Sequence, residues 1–431
     1  MIMKKTVALM ILVSFISIAG ESQDYWTTEI ISIEKDYKIE KKLREMNLDF
    51  LMEWNDRVYI IVNHDELQTI EKENILFTLE TQNLYPQSQK ITIQSGVNGE
   101  YHSYSELEQE LLTLQDSYPN LARVFDIGDS LEQRNIYALK ISDNVNQDEN
   151  EAEVAFLGCH HAREWISVEV PFLLGKYLVE NYNSNSKIKE LVDSSEIWIV
   201  PLVNPDGLEY SIHFYRYWRK NRRDNGDGSY GVDLNRNYGY MWGYDNKGSS
   251  PNPSDVTYRG KSAFSEPETQ VIRDLFSLRS FQAMITYHNY SQIIIYPWGY
   301  TRLLTEKDDL FFEMSADMSE LIQSVNGNFY DYGPAGVDLY LTNGDTTDWT
   351  FGTYGIPSFT IELPPIDIPH GGFFNSEGDI QPIFNENLPA MLYLIEWSID
   401  DFEAQSNLPE KRKPKFKSKD QSAGEGRGNN R

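Results

Sequence analysis

The chain has 431 residues, 40% hydrophobic and 24% charged, with 66 acidic residues against 38 basic ones for a net charge of −28. This composition excludes collagen-like, wholly disordered and polytopic membrane chains, and so negative a charge would repel a phosphate backbone, which excludes nucleic acid as a partner. The single cysteine, Cys159, forbids an intrachain disulfide, so stability must come from core size, bound ions or both.

Residues 1–20 carry Lys4 and Lys5, an apolar run from Val7 to Ile18, and Ser17 and Ala19 at the −3 and −1 positions of a cleavage site. This is the pattern of a secretory signal peptide, and the expected location is extracellular. The alternative, an uncleaved anchor, needs roughly 20 apolar residues to span a bilayer, more than the run provides. Residues 21–95 suggest a small α+β unit: a helix around Lys41–Phe50, a strand Arg57–Val62, a short helix around Asp65–Glu71 and a strand Ile75–Leu79. Pro86–Glu100 is poor in large apolar residues and carries Gly96 and Gly99, as an exposed, cleavable linker would. The unit before it is therefore a candidate prosegment.

From residue 96 to 405 strands and helices alternate. Helices are expected at Ser105–Asp116, Trp165–Tyr182, Glu266–Leu278, Leu310–Val325 and Asn387–Phe402. Strands are expected at Val124–Ile127, Ile136–Ile141, Val154–Gly158, Glu196–Val200, Ala283–Tyr287 and Ser358–Leu363. The fold class is α/β, with a mixed and mostly buried sheet flanked by helices and functional residues at strand ends. Residues 406–431 form a basic tail. From Asn407 onward eight Lys or Arg face three acids, and with few apolar groups the segment is expected to be disordered, as a solvated tail or an attachment to an anionic cell surface.

One of the strand ends carries G-C-H-H-A-R-E-W, residues 158–165. His161 and Glu164, three apart where a strand turns into a helix, can converge on one metal, with a third ligand supplied from elsewhere. His288, in T-Y-H-N-Y-S, is a strand-end histidine able to supply it. On spacing alone the match also arises by chance, and a strand-end histidine is often a hydrogen-bonded structural residue. Further polar runs lie at other strand ends: W-R-K-N-R (218–222), G-V-D-L-N-R-N-Y (231–238) and F-T-I-E-L (359–363).

With these motifs in this order, from Tyr101 to about Trp397, the chain resembles the zinc metallocarboxypeptidases, and within them the bacterial carboxypeptidase T type. The resemblance implies one catalytic zinc held by His161, Glu164 and His288, with His160 a neighbour. It implies that Glu362 is the catalytic base for the attacking water and that Arg222 polarises the scissile carbonyl. It further implies that Asn235 and Arg236 grip the free C-terminal carboxylate of a peptide or protein substrate, where a guanidinium fork gives bidentate geometry. Tyr340 matches the tyrosine that closes over substrate, and Arg163 and Tyr290 match contacts to upstream residues. A proenzyme opened by an activating protease and working as a monomer is expected.

Alignment back from Glu362 puts Ala335, Asp345 and Thr347 in the specificity pocket, with compensating one-residue shifts because G-I-P-S-F is short. Ala335 and Thr347 leave room for apolar side chains and Asp345 offers a carboxylate to Lys or Arg, so both classes should be accepted. The run S-D-N-V-N-Q-D-E-N-E-A-E, residues 142–153, packs five carboxylates into one loop. It is similar to a calcium site of carboxypeptidase T, with Ser142, Asp143, Glu149, Glu151 and Glu153 on matching positions, and calcium takes oxygen ligands of this kind. The alternative is a solvated acidic loop. Two competing functions are a zinc hydrolase of peptidoglycan peptides or N-acyl amino acids, and a binding protein that has lost catalysis. The carboxylate grip argues against the first, and the presence of all three ligands and Glu362 argues against the second.

Overall fold

The computed structural model describes residues 29–81, apart from 37, 40, 41, 44, 45, 47, 55 and 56, and residues 99–407. The expected signal peptide, most of the expected linker and nearly all of the basic tail lie outside the described residues.

Residues 29–81 build an antiparallel sheet in the order β2-β3-β1-β4, from β1 (Glu29–Glu34), β2 (Asp49–Trp54), β3 (Arg57–Val62) and β4 (Thr78–Thr81), with helix α1 (His64–Lys72). Asn63 starts α1 by a reciprocal cap with Glu66, which satisfies two helix-end amides at once. Strand alternation sorts the side chains. Ile31, Ile33, Val58, Ile60 and Val62 form the unit's own core, while Ile30, Tyr59 and Ile61 face the rest of the chain. The expected helix at Lys41–Phe50 is corrected at its end, because Phe50 already belongs to β2. The expected strand Ile75–Leu79 is displaced to β4.

The larger region runs α2 (Tyr104–Ser117), β5 (Ala122–Asp129), β6 (Asn135–Ile141), β7 (Ala152–Gly158), α3 (Ile166–Asn181), α4 (Ser186–Asp193), β8 (Ser195–Val200) and α5 (Pro205–His213). It continues through α6 (Pro267–Leu278), β9 (Phe281–Asn289), β10 (Ile293–Tyr296), α7 (Asp308–Asn326), β11 (Asp331–Pro334), α8 (Ala335–Asp338), α9 (Thr346–Tyr354), β12 (Ser358–Leu363) and α10 (Ile380–Ser406). The eight-stranded sheet has the order β11-β10-β12-β9-β7-β8-β6-β5. Its centre, β12-β9-β7-β8, is parallel, and β10, β6 and β5 pair antiparallel, so the sheet is mixed as expected.

Burial on both faces explains the near-continuous apolar runs of the central strands. In β7, Val154 and Phe156 pack toward the core containing α2, α3, α4, α7 and α10, and Ala155 and Leu157 toward the core containing α6 and Trp349. The parallel centre also sets the site. β7, β9 and β12 point their C-terminal ends the same way, with Gly158 opposite Tyr287 and Glu362 opposite His288. Gly158 is required at the exit of β7, because a Cβ there would lie 2.1 Å from the Ser167 carbonyl oxygen of the helix that follows. No helix among the described residues is long and apolar enough to cross a membrane.

Candidate active site

The turn between β7 and α3 delivers His161 and Glu164, and the end of β9 delivers His288; all three side chains are buried. Nδ1 of His161 lies 2.8 Å from Oε1 of Glu164, and Nδ1 of His288 lies 2.9 Å from Oε2 of Glu164 and 3.0 Å from Nδ1 of His161. Two nitrogens and one carboxylate thus face a common centre, every pair within 4.8 Å. The donor set fits zinc of the catalytic type, which takes three protein ligands and keeps a fourth position open.

The electrostatics fit as well. Burial holds His288 below the ordinary histidine range despite Glu164 beside it, and metal ligation needs a neutral imidazole. Burial opposes ionisation of Glu164, but the two histidines and their hydrogen bonds hold its carboxyl far below the usual range. His160 turns away. Its ring nitrogens meet Thr286, Tyr238 and Thr346 hydroxyls, and burial pushes its pKa well down.

Behind His161 stands Asp233, whose Oδ1 lies 3.1 Å from His161 Nε2. A carboxylate on the far nitrogen fixes the tautomer and orientation of a ligand histidine and raises its basicity. Asp233 also accepts the Asn235 amide at 3.0 Å, starting the short turn Leu234–Arg236, and takes Arg219 Nε and Nη2 at 3.0 and 2.9 Å. The G-V-D-L-N-R-N-Y motif contained Asp233, but its role depends on a contact 72 positions away in sequence.

One expected role is corrected. Arg222 does not enter the cluster: its guanidinium carbon lies 3.5 Å over the Tyr210 ring, 4.7 Å from Trp218 and 5.2 Å from Tyr230. Arg219, three residues earlier, is the arginine beside the metal-type site. It is buried, 3.9 Å from Glu164, and its charge bears on Glu362, His288 and Tyr340. The physical reason is its neighbours: Arg219 has Asp233 to neutralise it in the interior, whereas Arg222 has aromatic faces near the surface.

Glu362, buried near the end of β12, has its carboxyl pushed well above the usual range by burial and then by Glu164, against the pull of Arg219, Arg236 and Arg163. Asn235 accepts the Thr346 amide at 2.9 Å and its hydroxyl at 2.8 Å. Arg236 is held by the carbonyls of Gly248 (2.9 Å) and Asn235 (2.8 Å). Tyr340 is 36% exposed in the loop after α8, within electrostatic reach of Arg236 and Glu362. Arg163 lies 3.9 Å over the Phe373 ring and Tyr290 meets the same ring edge-on at 4.9 Å.

Ala335 opens α8 among Ile293, Ile295 and Leu339. Asp345 caps α9, accepting the Asp348 amide (2.9 Å), the Thr347 hydroxyl (2.9 Å) and the Thr342 hydroxyl (2.7 Å). The segment carrying Trp298 and Gly299 joins the two groups, through Gly336 N to Trp298 O (2.9 Å) and Thr342 N to Gly299 O (3.0 Å).

The acidic loop divides in two. Asp143, Glu149 and Glu151 converge, with the Ser142 hydroxyl 3.4 Å from Glu151, and Asp143 Oδ1 and Glu149 Oε2 are shielded from solvent without a hydrogen-bond partner. Glu153 is corrected out of this set. Paired within β7 opposite Phe281, it accepts the Ser280 amide at 2.8 Å and joins Asp148 and Glu196, where Arg279 and the buried Lys140 already supply positive charge.

A helix-flanked mixed sheet with a two-histidine, one-carboxylate centre and a buried glutamate defines the architecture of a metal-dependent hydrolase. The comparisons are specific. Residues 107–390 match the model of the zinc carboxypeptidase family. A zinc carboxypeptidase of Saccharothrix mutabilis subsp. capreolus is 37% identical over 280 residues, 63% of this chain and 63% of that protein, so the chain spans under two thirds of that relative's length. A metallocarboxypeptidase A of Arthroderma otae is 33% identical over 69% of this chain and 71% of its own, and a carboxypeptidase B of Astacus astacus is 31% identical over 70% and 98%. Among solved structures, the carboxypeptidase A of Helicoverpa armigera shares the fold at a TM-score of 0.73 and 24% identity, over 88% of this chain and 99% of that one. The chain belongs to the zinc carboxypeptidase family.

Proposed function

We propose that the protein is a secreted zinc carboxypeptidase, made as a proenzyme, that removes apolar and basic residues from the C-termini of peptides and proteins. The observation that carries this reading is the convergence of His161, Glu164 and His288 beside Glu362 and the anchored Arg236. Zinc held by the three ligands would act as a Lewis acid and lower the pKa of a water to about 7.

The chain's own residues do the rest. Arg236 and Asn235 receive the terminal carboxylate, which fixes the last peptide bond in place and rejects substrates blocked at the C-terminus. Arg219 offers its guanidinium to the carbonyl oxygen as negative charge develops there, a kind of contact worth about 2.7–4 kcal/mol per donor. Glu362 takes a proton from the attacking water and delivers it to the amide nitrogen as the carbon–nitrogen bond breaks. Tyr340, partly exposed on its loop, closes over the bound residue.

Three finer features belong to the same reading. Ile30, Tyr59 and Ile61 of the N-terminal unit pack with Tyr215, Tyr217, Tyr290, Ile368 and Phe373, next to Arg163, which supports an inhibitory prosegment lying over the upstream contacts. Ala335, Ile293 and Ile295 suit apolar side chains. Three of the roughly four acceptor sites of Asp345 are engaged, leaving it able to receive one donor from a basic side chain. Asp143, Glu149 and Glu151, with the Ser142 hydroxyl, suit one structural calcium, because shielded oxygens of Asp143 and Glu149 have no hydrogen-bond partner and a hard cation would supply one. The test is release of C-terminal Phe, Leu, Arg and Glu from blocked dipeptides by protein cleaved in the linker, with and without chelator. Chelator-sensitive release of Phe, Leu and Arg is expected, and activity indifferent to chelation would overturn the reading.

A further inference from the structure

Arg216, Arg219 and Arg222 recur every three residues along one irregular segment, and only the middle one reaches the metal-type site. Arg216 is pinned on one side, 3.8 Å over the Trp165 ring and donating to the carbonyls of Arg163 and Phe373. Arg222 is pinned on the other, within a cage of Tyr210 from α5, Trp218 from its own segment and Tyr230 from the returning chain. Tyr210 itself meets Trp218 edge-on at 5.1 Å.

The cage closes over two segments that must stay in register. Asn221 N donates to Val232 O at 3.0 Å, Gly231 N to Arg223 O at 2.6 Å, and Val232 N to Asn221 Oδ1 at 2.8 Å. The approach is so close that a Cβ on Gly231 would stand 2.6 Å from Lys220 Cβ and 3.0 Å from Trp218 Cζ2. One segment carries Arg219 and the other carries Asp233, and the bonds between them at 2.9–3.0 Å aim the guanidinium. A cation stacked on three rings drawn from α5 and both segments resists their sliding, since displacement uncovers all three ring faces at once.

We propose that Arg222 is a positioning residue for Arg219: its aromatic cage holds the 219–223 and 230–233 segments together, so that Arg219 meets the carbonyl oxygen at the angle the transition state needs. The proposal rests on the reading of Arg219 as the oxyanion group. Loss of the cage should therefore lower kcat and leave KM nearly unchanged, because Arg236 and Asn235, which bind the substrate carboxylate, keep anchors outside the caged segments, in the Gly248 carbonyl and in Thr346.

The test is a double-mutant cycle on linker-cleaved, zinc-loaded enzyme with a blocked dipeptide, comparing Arg219→Ala, Arg222→Leu and the two together, with zinc content and melting temperature recorded for each. Arg219→Ala should lose about 10²–10³-fold in kcat. Arg222→Leu should lose about 10-fold or more in kcat with full zinc content, a size in keeping with misplacement of a reacting group. Arg222→Lys, which keeps a cation on the rings, should recover part of that loss. The double variant should be no slower than Arg219→Ala alone, since a residue that acts only through Arg219 has nothing left to position. An equal fold-loss from Arg222→Leu in both backgrounds, or no loss in either, would overturn the proposal. Full activity in Arg219→Ala would instead remove the oxyanion reading, and the proposal with it. If Arg222→Leu accumulates poorly, Arg222→Gln carries the same cycle.

Discussion

The calcium proposed at the loop of residues 142–151 should stabilise the enzyme, and more so as pH rises. With no ion bound, burial and then the charges of Glu149, Glu196 and Asp143 push the Glu151 carboxyl up to about 7, from an ordinary 4.5. A group whose folded pKa is raised stabilises the fold below its unfolded pKa and loses that contribution as pH climbs through the folded value. The shift of roughly 2.5 units corresponds to about 3.4 kcal/mol if fully expressed, and Glu151 is only half-buried, so about 1–2 kcal/mol is realistic after screening. The ion-free protein should therefore weaken by that amount between about pH 4.5 and pH 7–8. Calcium must displace the same proton. At a concentration 100 times its Kd at pH 8 it should add about 2.7 kcal/mol, but at pH 5.5 the discounted shift of Glu151 should weaken binding about 2–4-fold and leave about 2 kcal/mol. For a chain of this size that is a rise in Tm of about 3 °C at pH 8 and about 2 °C at pH 5.5. Calorimetry with millimolar calcium or with chelator at both pH values measures it, with Asp143→Asn/Glu151→Gln as control. An equal rise at both pH values, or a rise surviving in the double variant, would refute the reasoning.

Asp233→Asn should keep the shape beside His161 but lose the charge that orients it, and zinc affinity, measured by competition with a chromogenic chelator, should fall about 10–100-fold; unchanged affinity would deny Asp233 that role. Asp345→Asn preserves an oxygen to cap α9, so the fold should survive while kcat/KM for C-terminal Arg and Lys drops far more than for Leu or Phe; equal falls would make Asp345 purely a helix cap. The uncleaved chain should be nearly inactive until nicked in the linker at residues 86–100, as measured by specific activity before and after limited proteolysis; equal activities would argue against a prosegment.

The parts of the fold most legible in sequence were those whose pattern reflects burial on both faces. β7 appears as an apolar run from Val154 to Leu157, and α3 as a stretch too long for a strand. β10 and β11 escaped notice because I-I-I-Y and D-Y-G-P are four residues each, too short for a period to show. β2, D-F-L-M-E-W, lacks the alternation of a half-buried strand and blended into a helix-like neighbourhood. In the site, His161 and Glu164 were suggested by spacing and His288 by its place at a strand end, while the roles of Glu362 and Arg236 came from the resemblance. What sequence could not separate was Arg219 from Arg222, two identical side chains three apart in W-R-K-N-R. The choice is made by Asp233 and by an aromatic cage, and both are tertiary contacts. Glu153 was misplaced for a similar reason: five acids in one loop look alike until Arg279 and Lys140 neutralise one group and leave the other.

The central claim is that Glu362 moves the proton at a site built by His161, Glu164 and His288. The most direct measurement is zinc content and kcat of Glu362→Gln, purified alongside the parent and cleaved in the linker. The substitution keeps volume and polarity but removes the base, so one zinc per chain should be retained while kcat falls on the order of 10²–10⁴-fold. A variant that binds zinc fully and turns over near the parent rate would contradict the account.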